Sequence, residues 1–393
     1  MLTMRQKIAL SKTIRDRYQK STKNEKIVIL NEFVKTTGYN RSYARRILGC
    51  RSKGINGRRK KKTIVRQRIY DASVFYAVRK LWIAADGICG KRLRPFVPEI
   101  LQVLERHDEI KLGKTVRQKV LAVSAATIDR ILGHVKRQYR LKGRSTTKPG
   151  SLLKQSIAVR TFADWDDNRP GFFEVDLVAF CGELVKGDFV NGLNLTDVAT
   201  GWVGLDAVMG KAASRVNPAI DDVRKRLPFI MLGLDSDNGS EFINGLLKRY
   251  CEEHEITFTR SRPYKKNDNC YVEQKNYTVM RRFLGYARFD TQEQLNLVRR
   301  ILALVEVYVN FFQPIMKLVE KQRVGAKVKK HYDVAKTPYQ RLLSSGILTE
   351  QKKQQLQTYY ETLNPMMIKR QINTLTLKLE KTLRYKIPGA KIT

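Results

Sequence analysis

Acidic residues are scarce in this chain: its 393 residues hold 37 Asp and Glu against 76 Lys and Arg, a formal charge of +39. So large an imbalance attracts a polyanion. Nucleic acid is the first candidate, bound in a way that weakens steeply as salt competes for its phosphates. Cysteine is scarce too, and five of them, an odd number widely spread, make no disulfide framework. The four histidines are His107, His134, His254 and His331. Cys251 and His254 have the spacing of a zinc-ligand pair, but no second Cys/His pair completes a tetrahedral set. Long apolar runs are missing: the best, Ile301 to Phe312, is short and broken by Glu306 and Asn310, too little to span a bilayer. Met1 to Lys7 lacks the apolar core of a signal peptide. The expectation is a reduced, cytoplasmic, nucleoid-associated protein, with 42% hydrophobic residues to build packed cores.

Two segments read as helix-turn-helix units. Ile27, Leu30, Phe33 and Val34 form a helical stripe over Lys23 to Thr36, Gly38 marks a tight turn, and a short second helix runs from Arg41 to Leu48. Thr115 to Leu121, an N-cap at Ser124 and a helix from Ala125 to Gln138 repeat the pattern, and Arg46-Ile47-Leu48-Gly49 recurs as Arg130-Ile131-Leu132-Gly133. Second helices of such units read the major groove, which nominates Arg41, Arg45 and Arg130 as DNA contacts. Two small helical bundles with basic surfaces would give the same pattern. The basic run holding Arg58, Arg59 and Lys60 is either a solvated linker or an arm along DNA. The domains expected are 1–62 and 63–145 for DNA binding, 165–315 as a catalytic core, and 316–393 as a basic, mainly helical region.

The region after the second linker alternates differently. Strands are expected within Gly171 to Cys181, Phe189 to Leu195 and Trp202 to Val208. A helix follows over Ser214 to Arg226, then a strand from Pro228 to Leu234, a helix from Phe242 to His254, a strand from Ile256 to Arg260 and a helix from Tyr271 to Gly285. That order gives a mixed α/β sheet with helices packed on it. In the tail, Leu295, Val298, Leu302, Val305 and Val309 form one helical stripe. Ile368, Ile372, Leu375, Leu379 and Leu383 form another, although Leu375, Leu377 and Leu379 also alternate as a strand would.

Within this region three acids stand where separate elements could converge. Asp176 is centred in an apolar strand, where an unpartnered charge is costly. Asp237 lies where a strand ends in a turn, and Glu273 near the start of a helix. Each has a bland alternative: a satisfied structural carboxylate, an Asn-Gly turn, or a first-turn acid complementing the helix dipole. Together they suit two Mg²⁺ or Mn²⁺ ions, Asp176 bridging both, that activate water and stabilise a leaving phosphodiester oxygen. Asp197, Asp235, Glu241 and Asp268 are the competing acids. The basic loop with Arg260, Arg262, Lys265 and Lys266, and the helical face of Gln274, Thr278 and Arg281 with Lys275 and Arg282 beside it, suit a DNA backbone threaded past the acids.

These residues resemble a known family. The triad Asp176, Asp237 and Glu273, the segment Ser236-Asp237-Asn238-Gly239-Ser240-Glu241-Phe242, and Arg262-Pro263-Tyr264 ahead of Val272-Glu273 are similar to the retroviral-integrase-type core of DDE transposases. Leu195-Thr196-Asp197-Val198-Ala199-Thr200-Gly201-Trp202 and Arg260 to Asp268 resemble bacterial insertion-sequence transposases of the ISNCY type. The resemblance implies an RNase H-like core over roughly 165 to 315, behind basic helix-turn-helix domains. It implies metal-dependent 3′-end cleavage at transposon ends, strand transfer into target DNA without a covalent protein–DNA intermediate, and a dimer or tetramer on DNA. An inactive or domesticated DNA-binding transposase and an RNase H-like nuclease of other specificity are the alternatives. Unlike integrases proper, the chain has no N-terminal His/Cys zinc module.

Overall fold

In a computed structural model of the protein, the residues described are 2–49, 69–138, 158–159, 169–237, 239, 241–242, 244–260, 272, 275–324 and 327–384. They belong to two compact units, residues 1–68 and 69–393.

In the first unit, α1 (Met4–Lys20), α2 (Lys23–Thr37) and α3 (Arg41–Gly49) pack around the fully buried Phe33, Ala44 and Leu48. Thr22 and Glu25 form a capping box at the start of α2, and Gly38 ends it at φ 67°, the left-handed conformation the expected turn requires. Helix α1 is not signalled by the stripe read above. It is largely exposed and basic, and its Arg15 Nε donates to the Ile47 carbonyl at 3.1 Å.

The second unit opens with α4 (Ala72–Ala84), α5 (Gly90–Arg106), α6 (Lys114–Ala122), α7 (Ala125–Ile131) and α8 (Gly133–Gln138). Ser124 caps α7 as expected, its hydroxyl accepting from the Thr127 N–H. The single helix expected over Ala125 to Gln138 is broken at Leu132, ahead of Gly133, a poor helix former. Helix α7 lies so close to the start of α5 that a Cβ at Gly90 would meet the Ala125 carbonyl at 2.2 Å. This helical group packs onto the C-terminal half of the unit: the Tyr308 hydroxyl donates to the Ala84 carbonyl (2.6 Å) and Gln313 Nε2 to the Ala85 carbonyl (2.8 Å).

The sheet then forms from β1 (Ala158–Val159), β2 (Phe172–Ala179), β3 (Val190–Asp197), β4 (Val203–Met209), β5 (Gly233–Ser236) and β6 (Thr257–Arg260), with α9 (Ala213–Arg226) between β4 and β5 and α10 (Gly245–Glu253) between β5 and β6. Its order is β1-β6-β5-β2-β3-β4. Strands β2, β3 and β4 run antiparallel in sequence, and β2, β5 and β6 run parallel. Apart from the two-residue β1, this is the mixed five-stranded RNase H-like arrangement. The strand expected from Pro228 begins only at Gly233.

A π-helical turn, Asn276–Arg281, continues into Arg282–Leu284; together they are α11. Helix α12 (Gln292–Phe312), started by a Thr291/Gln294 capping box, packs against β4 and against α15 (Pro365–Arg384). Between them lie β7 (Leu318–Val324), β8 (Lys327–Tyr332), α13 (Pro338–Ser344) and α14 (Glu350–Thr362). The tail is mainly helical, but the β7–β8 hairpin is absent from the sequence reading. Leu318, Val319, Val328 and Tyr332 are exposed on it, so no buried stripe announces it. In α15 the helical period wins over alternation: Leu375 and Leu379 are buried and Leu377 is 59% exposed.

At the end of β3, Asp197 is fully buried and makes the turn to β4. Its carboxylate accepts from the Gly171 N–H (2.8 Å), the Thr200 N–H (2.7 Å) and the Thr200 hydroxyl (2.6 Å). Burial outweighs these bonds and pushes its carboxyl up to about 6, from an ordinary 3.8. The folded chain therefore holds a proton that the unfolded chain releases earlier, and stability falls as pH rises through that window. Asn at 197 stays neutral throughout. Relative to wild type, Asp197→Asn should gain on the order of 3 kcal/mol between pH 4 and pH 7, on top of a pH-independent cost from lost acceptors. Urea unfolding of both proteins across that range measures it, and a difference flat in pH would refute it.

Candidate functional site

Side chains alternate along a strand, so Phe173, Val175 and Leu177 of β2 face one way and Glu174 and Asp176 the other. The parallel register pairs Glu174 with Asp235 and Val175 with Ser236, so Asp176 and Asp237 follow at the next step of two adjacent strands. Across the antiparallel pair, Thr196 stands opposite Glu174 and Asn194 opposite Asp176, while Thr259 of β6 stands opposite Asp235. Two polar rows thus cross one face of the sheet. The lower, Thr196, Glu174, Asp235 and Thr259, is buried throughout. The upper holds Asn194 and Asp176, with Asp237 at the strand end, partly exposed.

Hydrogen bonds fix these rows. Asp176 accepts from its neighbour's Leu177 N–H (2.8 Å) and, at the other carboxylate oxygen, from Asn276 Nδ2 (2.5 Å). The Asn276 oxygen in turn accepts from Asn194 Nδ2 (2.8 Å), and Asn194 Oδ1 from the Thr196 hydroxyl (3.1 Å). In the lower row, Glu174 accepts from the Val272 N–H (3.0 Å) and Asp235 from the Thr259 hydroxyl (2.5 Å). Asp237 accepts from the Gly239 N–H at 2.8 Å. A Cβ at Gly239 would sit 2.8 Å from both the Asp237 Oδ1 and the Glu241 carboxyl carbon, so the two acid side chains converge on this turn and a larger residue would have to push them aside.

Glu273 lies outside the described residues, as do Gln274, Asp268, Arg58, Arg59, Lys60, Arg262, Lys265 and Lys266. The chain on either side of position 273 is tied to β2, through Val272 to Glu174 and through Asn276 to Asp176. Among the described residues no three His, Cys, Asp or Glu side chains gather at a metal-sized site. Two of the three expected acids, Asp176 and Asp237, directly follow the last paired residues of β2 and β5, Val175 and Ser236. Of the competing acids, Asp197 belongs to its turn, Asp235 is sealed in the lower row, and Glu241 is the one nearest Asp237.

The expected basic helical face is redrawn. Val272 and Val279 are buried, but so are Lys275, just ahead of the π turn, and Met280, within the turn, which breaks the 100° phase on which that face rests. Arg281 donates to the Ala179 carbonyl (2.8 Å) and lies over the Phe180 ring, and Arg282 pairs with Asp86 (2.9 Å). Lys275 is 9% exposed, and burial, then the neighbouring Arg92, pulls its ammonium down to about 7. Arg260 is buried at the end of β6, opposite Ser236. On the helical segments, Arg41, Arg45 and Arg130 are exposed, Arg41 bonded to Asn31 and Arg130 to Thr127. Burial pushes the Cys251 thiol up to about 12, which removes it as a ready zinc thiolate.

Asn276, Asn194 and Glu174 are absent from the sequence reading. For Glu174 and Asn194 the signal there is that polar residues occupy β-strand positions in an otherwise apolar run, Glu174 two before Asp176 and Asn194 two before Thr196.

No family model matches the chain. Over 44% of its length it superposes on 95% of the catalytic core domain of BIV integrase, with 20% sequence identity and a TM-score of 0.31. The fold is read from the strand order and register given above and not from that alignment. The uncharacterized protein y4rM of Sinorhizobium fredii (strain NBRC 101917 / NGR234) is 40% identical over 331 residues, which cover 84% of this chain and 93% of y4rM. At that identity and coverage, the chain belongs to the y4rM family.

Proposed function

We propose that the chain is a DDE transposase of the insertion-sequence ISNCY type, acting on DNA as a homo-oligomer. The observation that carries this reading is the parallel register of β2 and β5, whose last pair, Val175 and Ser236, is followed on one strand by Asp176 and on the other by Asp237, with Asn276, three residues beyond Glu273, hydrogen-bonded to Asp176. Asp176, Asp237 and Glu273 would hold two Mg²⁺ or Mn²⁺ ions. The donor set fits: the upper row offers carboxylate and amide oxygens and no thiolate or imidazole, as hard divalent ions prefer. When bound, such ions supply an activated water and neutralise charge at the reacting phosphodiester. The protein's own part is positional. Asn276 fixes the rotation of the Asp176 carboxylate, Gly239 fixes that of Asp237, and Glu174 holds the chain entering position 273.

The formal charge of +39 supports a DNA substrate. The exposed Arg41 and Arg45 in residues 1–62, and Arg130 in 63–145, are proposed to contact terminal repeats, together with Arg58, Arg59 and Lys60. Arg262, Lys265 and Lys266 are proposed to contact DNA near the acids. Residues 165–315 would form the catalytic core and 316–393 a basic accessory region.

The test is purified protein with a labelled duplex of the element's own end, in Mg²⁺ or Mn²⁺ against EDTA. Metal-dependent nicking at the end is the expected result. Binding without nicking, also in the assembled protein–DNA complex, would replace this reading with a DNA-binding protein that keeps the fold without the chemistry.

A further inference from the structure

Asn276 turns to Asp176, but Lys275 beside it lines a separate cavity of about 800 Å³. Thr196, at the end of the buried polar row, lines it too. Among the described residues that line it, the cavity is strongly cationic: Arg92, Lys275, Arg282, Lys317 and Lys330 meet one acid, Asp86. That acid is already committed to Arg282 (2.9 Å) and Lys369 (2.6 Å). Arg92 donates to the Pro314 carbonyl (2.6 Å), a contact that orients the cation without cancelling its charge, whereas Lys317 donates to the Val198 and Ala199 carbonyls (2.9 and 2.8 Å) and also meets the charge of the buried Asp197. Lys275, 9% exposed, shares the wall of this cavity with a second cation, Arg92. Burying like charges together is costly unless an anion joins them. Ile315, Met316 and Val309 complete the wall and lower the local dielectric, which strengthens any such pairing. The volume exceeds what a bare phosphate fills and lies in the range of small-ligand sites.

We propose that this cavity is a phosphate site that seats a nucleotide, carried either by a DNA strand passing the acid rows or by a free nucleotide. The DNA source rests on the transposase reading, whereas anion binding by the cavity does not.

The experiment follows the thermal unfolding midpoint of the full chain in EDTA, at ionic strength held constant with chloride. The probes are inorganic pyrophosphate, dATP and a single-stranded decanucleotide, each against wild type, Lys275→Met and Lys330→Gln. Lys275→Met keeps the length of the side chain and removes the buried charge. Lys330 is on the exposed rim, so its replacement leaves the core intact. Wild type should gain about 2 °C at roughly ten times the dissociation constant. Lys275→Met should raise the midpoint without anion, which a merely structural lysine would not do, and weaken the binding at least tenfold. Lys330→Gln should weaken it severalfold. A variant-sensitive rise with pyrophosphate and dATP identifies a free nucleotide as the source, and one confined to the decanucleotide identifies DNA. Equal rises in wild type and both variants, with every probe, would overturn the site. Because metal is absent, a failure of the acids to support cleavage would leave this result unchanged.

Discussion

Asp176→Ala, Asp237→Ala and Glu273→Gln should each lower cleavage of the element's terminal duplex by roughly a thousandfold or more, while binding to that duplex should survive. The size follows from the role proposed for the acids: each would supply charge to a site whose ions would stabilise the transition state by several kcal/mol, and a loss of about 4 kcal/mol is about a thousandfold. The survival of binding follows from where the positive charge lies. The exposed Arg41, Arg45 and Arg130 are on helices far along the chain from β2 and β5, and the substitutions leave them untouched. The folding control has a definite sign. Asp176 and Asp237 are like charges on neighbouring strands, so without metal each disfavours the other. Neutralising one, as in Asp176→Asn, should leave the metal-free unfolding midpoint unchanged or higher. A thousandfold loss of cleavage with a raised midpoint cannot come from unfolding. Cleavage within tenfold of wild type by any of the three would end the assignment, as would a parallel loss of DNA binding.

Much of this site is legible in the sequence, for a physical reason. A carboxylate inside Phe173-Glu174-Val175-Asp176-Leu177 contradicts its apolar setting, and such contradictions mark places where function overrides packing. The strands on either side are legible because β2, β3 and β4 are rich in residues that fill a pleated, buried surface. Three things are not. The hairpin β7–β8 buries no stripe, so its residues carry no period to read. The π turn at Asn276–Arg281 shifts the phase of the side chains within and after it and Lys275 just ahead of it is buried, so the open cationic face drawn for an α-helix becomes a buried lysine and two anchored arginines. The joining of α4 and α5 to the core depends on long-range bonds such as Tyr308 to Ala84, 224 residues apart, which no local pattern encodes.

Glu174 and Asn276 provide the second large effect, and it separates positioning from catalysis. Neither is one of the three acids, yet each joins β2 to the chain around Glu273: Glu174 through the Val272 N–H at 3.0 Å, Asn276 through Asp176 at 2.5 Å. Partners that orient metal-binding side chains commonly matter by 10- to 100-fold in metal affinity or activity. Glu174→Ala and Asn276→Ala should therefore each lower cleavage by roughly 10- to 100-fold at fixed metal, less than loss of an acid. Their signature is metal dependence. The Mg²⁺ concentration for half-maximal rate should rise in both, and saturating metal should recover part of the lost rate, whereas Glu273→Gln is not rescued. The two should differ in stability. Glu174→Ala leaves the buried Val272 N–H without its acceptor, a cost of about 1–3 kcal/mol that lowers the unfolding midpoint. Asn276 is partly exposed, and its replacement should cost less. Asn276→Asp sharpens the test. It sets a carboxylate where an amide donates to Asp176, so like-charge repulsion replaces a hydrogen bond, and the metal-free unfolding midpoint should fall further than in Asn276→Ala. If Asn276→Asp and Asn276→Ala matched wild type in rate and in metal requirement, Asn276 would be an ordinary surface contact, and the strand-to-helix tether would not set the geometry of the acids.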